Sequence, residues 1–177
     1  MTQNAMAQAD LGFKAVGVEG GFVSPENIDG TVGFGLFTNM GSLTPNIGLS
    51  TNLGYWSKSW GVSGIGETSV RDISVMTRAT YYFHTSTARF TPYAGVGLGI
   101  HVLQSKVELA EQDLGGGIVI PGMSLEDTMT KLGVDLGAGF KTPITPSANL
   151  VTGVWYGLVS DVNQMSMKLG VEFALPN

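Results

Sequence analysis

The chain has 177 residues, a net charge of -5 and a pI near 4.8, so it lacks the basic surface that nucleic-acid binding requires. It has no cysteine, which excludes disulfides, thiolate metal sites and cysteine nucleophiles. Charged residues make up only 13% of the chain, against about 25% in soluble domains. Hydrophobic residues make up 43%, yet no apolar run approaches the roughly 18 residues of a membrane helix. Apolar and polar residues alternate instead, which favours a transmembrane β-barrel.

The first ten residues, MTQNAMAQAD, carry no strand pattern. Ala7-Gln8-Ala9 has the small-residue spacing of a secretory cleavage site, so one hypothesis is the tail of an export signal. The other is a flexible leader with accidental alanines. We therefore assign residues 1–10 to a leader or signal-peptide remnant and residues 11–175 to one barrel domain.

Eight segments show the period-2 alternation of a strand with one apolar and one small or polar face. In the last segment Met165, Met167 and Leu169 alternate with Ser166 and Lys168. The segments are about 10 to 15 residues long, enough for a tilted crossing of a bilayer, which needs about 9 to 11. They are 11–23, 31–40, 46–58, 71–83, 90–104, 127–141, 148–160 and 165–175. Consecutive long strands predict an all-β fold, an eight-stranded antiparallel up-and-down transmembrane β-barrel.

The connections between strands differ in length between the two ends of the predicted barrel. Those after strands two, four and six are short, whereas those after strands three and five (59–70 and 105–126) are longer. Those after strands one and seven are short too. Bacterial barrels place short turns in the periplasm and longer loops outside. The loop 105–126 begins with a possible helical turn, and its apolar stretch Gly115–Met123 predicts either a strand extension or a contact surface. We expect any surface partner to bind through this loop.

Charged side chains collect on the inward parity of the strands. An eight-stranded barrel has an interior just wide enough for side chains, so balanced charges predict a plugging network of ion pairs and hydrogen bonds. The alternative is a narrow, porin-like path for ions or small apolar solutes. The predicted lumen charge network comprises Glu19, Asp72, Arg78, His101, Lys131, Asp135, Lys168 and Glu172.

Aromatic residues cluster near predicted strand ends, where amphipathic rings suit the headgroup level of a membrane. The predicted aromatic girdle comprises Tyr55, Trp56, Trp60, Tyr81, Tyr82, Phe83 and Tyr93.

The strand rhythm, the segment YAGVGLGI (Tyr93–Ile100) and the closing segment KLGVEFAL (Lys168–Leu175) resemble small eight-stranded outer-membrane barrels of the OmpA/OmpX type. The resemblance implies a bacterial outer-membrane location, contact with lipid and recognition by the barrel-assembly machinery. Family members usually end on an aromatic residue that this machinery reads. Here Phe173 is followed by four more residues.

Catalytic and metal motifs are weak. Some barrels of this size are lipid A hydrolases or acyltransferases, but the sequence has no adjacent His-Ser pair. His84 lies in a polar turn, His101 on a glycine-rich face, and the acidic residues lack EF-hand spacing. We therefore predict no catalytic residue, metal or cofactor, and a structural, adhesive or surface-interaction role. A soluble lipocalin-like barrel would instead need apolar inner walls.

Overall fold

Eight long strands close into a barrel in the computed structural model, which describes residues 9–62, 66–83, 90–113, 119–160 and 162–176. Each strand pairs antiparallel with its neighbours in the chain, and the first closes on the last. The predicted fold class is therefore confirmed. The strands are β1 Asp10–Pro25, β2 Thr31–Thr44, β3 Ile47–Val62, β4 Gly66–Tyr82, β5 Thr91–Leu109, β6 Met123–Thr145, β7 Ala148–Val159 and β8 Gln164–Ala174.

The outer face of the barrel is apolar and the inner face is polar. On β8, Met165, Met167 and Leu169 are 45–57% exposed, whereas Ser166 and Glu172 are buried. This reversal of a soluble protein's polarity requires a hydrocarbon environment around the strands. The described part of the chain contains no helix that is long and apolar enough to cross a membrane.

Short turns close the end of the barrel that holds both chain termini. Two-residue turns, Pro45–Asn46 and Pro146–Ser147, join β2 to β3 and β6 to β7. In the first, the Thr44 hydroxyl accepts a hydrogen bond from the Ile47 amide at 3.2 Å. The predicted turn at residues 84–89, with His84, lies outside the described residues.

At the opposite end, β3 to β6 continue well beyond the other strands. β3 and β4 pair as far as Val62 and Gly66, and β5 and β6 as far as Leu109 and Met123. β2 pairs with β3 only up to Gly33, and β6 pairs with β7 only from Gly133. We call these upper segments the projecting sheet (residues 57–62, 66–71, 104–109 and 123–128).

The prediction of two loops at 59–70 and 105–126 is therefore largely wrong. Residues 105–109 pair with both β4 and β6, so the helical turn predicted there is also wrong. The alternation simply continues: Lys106 and Glu108 occupy one face, and Val107 and Leu109 the other. Between β5 and β6, Gln112–Asp113 pairs with Val119–Ile120. Residues 114–118 lie outside the described residues.

Candidate functional site

The centre of the lumen holds a buried ion pair between β4 and β6. Arg78 and Asp135 lie in register on either side of Gly97 in β5. The Arg78 Nη2 atom is 2.5 Å from Asp135 Oδ2, and Nε donates to the same oxygen at 2.7 Å. Both side chains are at most 7% exposed. A side chain at Gly97 would collide with both partners, so the glycine makes the contact across β5 possible.

Three further pairs lie in the lumen. Lys168 Nζ lies 2.6 Å from Glu19 Oε1, and His101 Nδ1 lies 2.8 Å from Asp72 Oδ2. Lys141 Nζ lies 2.7 Å from Glu172 Oε1. Each charge in these contacts has an opposite or hydrogen-bonding partner, as buried charges require.

The sequence-predicted set is only partly complete. It omits Lys141, although Lys141 shares its parity with Lys131 and Asp135 and could have been found from that signal. Lys131 itself lies beside His101 in the β5–β6 register. The structure brings predicted residues into direct pairs, as the contacts of Glu19, Asp72, Arg78, His101, Asp135, Lys168 and Glu172 show.

Aromatic side chains cross the lumen between these pairs. The Arg78 guanidinium lies 4.0 Å from the centre of the Trp155 ring, a cation–π contact from β4 to β7. Trp56 Nε1 donates to Gln164 Oε1 at 2.9 Å, which joins β3 to β8. The Tyr93 hydroxyl donates to the Thr152 carbonyl at 3.0 Å.

The girdle prediction is wrong for Trp56, Tyr82 and Tyr93. These residues share the inward parity of their strands, and Trp56 and Tyr93 are only 4% and 6% exposed. Tyr82 packs edge-on against Tyr93 inside the barrel. The girdle prediction rested on closeness to a strand end. The parity of a residue along its strand, however, determines whether its ring faces the lipid or the lumen. Trp60 also has the inward parity of β3, and its exposed ring lies on the inner face of the projecting sheet, so the girdle prediction is wrong there too. The remaining members, Tyr55, Tyr81 and Phe83, are exposed.

The described residues enclose two small cavities in the lumen, each of about 50 Å³. Trp56 and Gln164 line the upper one, and Phe37 and Tyr82 the lower one. Glu19, Arg78 and Trp155 line both and thus lie between them. Volumes of that size suit a few water molecules.

The projecting sheet reverses the polarity of the barrel below it. Its outer face carries Arg71, Lys106 and Glu126, whereas its inner face exposes Trp60 (45%) and Leu125 (61%). Trp60, Thr68, Val107 and Leu125 form one row across the four strands. Leu109 and Met123 extend the apolar surface at the tip.

Charges on the outer face are locally paired. Arg71 hydrogen-bonds Gln104, and its Nη2 atom lies 4.0 Å from Glu126 Oε1. Lys106 Nζ lies 2.5 Å from Glu108 Oε1, and the hydrogen bond from this carboxylate raises the pKa of Lys106.

A closed barrel with an apolar outer belt and a polar lumen defines an integral outer-membrane β-barrel protein. The model of the outer membrane protein beta-barrel domain matches residues 1–174, and the chain belongs to this family. The predicted resemblance and the predicted bacterial outer-membrane location are confirmed. A comparison with curated protein sequences finds no match.

Solved structures of outer-membrane proteins share the fold at low sequence identity. Neisserial surface protein A (NspA) is 18% identical, with a TM-score of 0.63 and coverage of 91% of this chain and 96% of that one. Ail, the attachment invasion locus protein of Yersinia pestis, is 14% identical, with a TM-score of 0.57 and coverage of 92% and 97%. A major outer membrane protein from Thermus thermophilus is 12% identical, with a TM-score of 0.61 and coverage of 91% and 99%.

Proposed function

We propose that the protein is a non-enzymatic outer-membrane anchor that presents the projecting sheet to a partner outside the cell. The observation that carries this proposal is the polarity of the sheet. Trp60, Leu109 and Leu125 are 45–61% exposed on a face that lies above the apolar belt of the barrel. Exposed apolar surface outside a membrane marks a contact site, because leaving it in water is unfavourable.

The chemistry of the sheet favours a polypeptide partner. Ail has been crystallised in complex with the heparin analogue sucrose octasulfate, a polyanion. Here the outer part of the chain is acidic: Glu67, Glu108, Glu111, Glu126 and Asp127 are exposed there. The two outer-face cations, Arg71 and Lys106, already contact carboxylates. An apolar segment flanked by basic residues suits this surface better than a sulfated sugar.

Adherence of bacteria that display the protein to cultured host cells tests this role. We expect the wild-type protein to raise adherence over an empty-vector strain, and Leu109→Ser with Leu125→Ser to remove most of the gain. Thr128→Ser is the matched control, because Thr128 occupies the opposite face of the same strand. Adherence equal to that of the empty-vector strain would contradict an adhesive role.

We also propose that side chains close the lumen to solutes. The three lysine or arginine ion pairs, the His101–Asp72 contact, the crossing Trp155 ring and the small cavity volumes support a stiffened, plugged barrel. A narrow ion path is the second candidate, favoured by one observation: Arg78 and Glu19 line both cavities. Conductance of the folded protein in a planar bilayer separates the two. If the wild-type protein shows no conductance, the result supports a plugged lumen. Steady conductance that changes in Arg78→Ala supports an ion path.

Membership of the family supports biogenesis through the barrel-assembly machinery, with β8 as the recognised strand. Phe173 is 50% exposed on the outer face of β8, where another protein can reach it. Membrane assembly of Phe173→Ala, followed by heat-modifiable gel migration, tests this role. We expect slower assembly than with the neighbouring variant Val171→Ala, which keeps Phe173.

A further inference from the structure

One carboxylate interrupts the apolar inner face of the projecting sheet. Asp127 is exposed on this face, with Leu125 above it and Met129 below it on the same side of β6. The three side chains share one face because residues two apart lie on the same side of a strand. Leu125 and Met129 are 61% and 43% exposed. Asp127 therefore lies within the apolar contact face.

The Asp127 carboxylate has no hydrogen-bond or ion-pair partner among the described residues. Asp127 lies opposite Ser105 in β5, and Val70 and Lys58 continue the same row across β4 and β3. Lys58 lies at the far edge of the sheet, about 14 Å away across three strand spacings. Its Nζ atom donates to the Gly30 carbonyl at 3.4 Å. The charge of Asp127 is therefore available to another molecule.

Two carboxylates on the outer face of the sheet have cationic neighbours. Glu126 Oε1 lies 4.0 Å from Arg71 Nη2, and Glu108 Oε1 lies 2.5 Å from Lys106 Nζ. On the inner face, Asp127 is the one carboxylate among the described residues of the projecting sheet, and its neighbours along the strand are apolar.

A partner that covers the inner face removes water from Asp127. A buried carboxylate is costly unless it is paired, so a purely apolar partner would leave this charge uncompensated. A lysine or arginine on the partner would pair with the carboxylate, whereas a glutamate or aspartate would be repelled. The face thus discriminates between partners by the charge that they place at one position.

We propose that Asp127 is the specificity-determining residue of this face and selects a polypeptide partner that has a lysine or arginine between two apolar side chains. The inference rests on the proposed function of the projecting sheet. Side chains two residues apart on a strand lie about 7 Å from each other. The basic group of the partner therefore lies about 7 Å from each of the apolar groups that contact Leu125 and Met129. Basic residues that only flank the apolar segment would leave Asp127 unpaired.

A peptide array tests this selection. Its members carry two leucines with lysine, glutamine or glutamate midway between them at alternate positions, and further members carry lysines only outside the leucines. The folded protein is applied in lipid nanodiscs. We expect the wild-type protein to bind the central-lysine peptides about tenfold or more tightly than the central-glutamate peptides. Peptides with flanking lysines alone should bind more weakly than the central-lysine peptides.

Substitutions at Asp127 should change this preference. Asp127→Lys should reverse it toward central glutamate, and Asp127→Asn should remove it. Glu126→Lys is the matched control, because Glu126 is the adjacent acidic residue on the opposite face, and it should keep the wild-type preference. Heat-modifiable migration verifies folding of each variant.

The outcomes separate this inference from the proposed function. Equal binding of central-lysine and central-glutamate peptides by the wild-type protein would overturn the role of Asp127 while the contact face stands. An unchanged preference in Asp127→Lys, or the same reversal in Glu126→Lys, would do so as well. Absence of binding to every member of the array would overturn both the role of Asp127 and the contact face itself.

Discussion

Arg78 and Asp135 meet across a strand that separates them, because the intervening residue in register is Gly97. The pair is almost completely buried, and the arginine also lies 4.0 Å from the Trp155 ring centre. One missing side chain thus allows β4, β6 and β7 to be linked inside the barrel.

Gly97→Ala should destabilise the barrel. An added methyl group would collide with the Asp135 carboxylate and the Arg78 side chain, so the pair has to shift. We expect a loss of about 1–3 kcal/mol in the free energy of unfolding, measured by urea titration in lipid vesicles. Gly157→Ala is the matched control, because its methyl group would approach only the flexible Gln164 side chain closely. Equal effects of the two substitutions would contradict the crowding at Gly97.

Removing one partner of the central pair should cost more than removing both. Asp135→Leu leaves the Arg78 charge buried without its carboxylate, and we expect a loss of about 3–5 kcal/mol. The double variant Arg78→Met/Asp135→Leu should recover much of that loss, because no unpaired charge remains. Asp10→Asn, in the exposed Lys14–Asp10 pair, should change stability by at most about 1 kcal/mol. Additive losses in the double variant would show that the two charges are not coupled.

Tryptophan fluorescence should separate the inner from the outer aromatic residues. The chain has three tryptophans, of which Trp56 and Trp155 are 4% and 6% exposed and Trp60 is 45% exposed. We expect iodide to quench a single component of the emission from the folded protein. Trp60→Phe should remove this component, whereas Trp56→Phe should retain it. Quenching that persists in Trp60→Phe would place another tryptophan in contact with water.

Hydrogen exchange should distinguish the centre of the projecting sheet from its edge. Residues 105–109 pair on both sides, with β4 and with β6, so consecutive amides there should exchange slowly. Residues 123–132 pair only with β5 among the described strands. Because an antiparallel edge bonds every second residue to its neighbour, their amides should alternate between slow and fast exchange. Uniformly fast exchange over 105–109 would support a loop there instead of a strand.

The strand count, the closure and the choice of inward parity could be predicted from the sequence alone. Side chains alternate along any strand, so the sequence already determines which face of β8 meets lipid. That face carries Met165, Met167 and Leu169, and the opposite face carries Ser166 and Lys168. The same local rule brought Glu19, Arg78, Asp135 and Lys168 to the lumen. The same alternation also places Lys141 and Trp56 on the inward faces of their strands.

Only the tertiary structure decided which charges pair and how far the strands extend. Arg78 contacts Asp135, and Glu19 contacts Lys168, because of the register between strands up to 149 positions apart in the chain. Alternation is a property of each strand by itself, whereas register depends on two strands together, and a shift of one residue changes every partner.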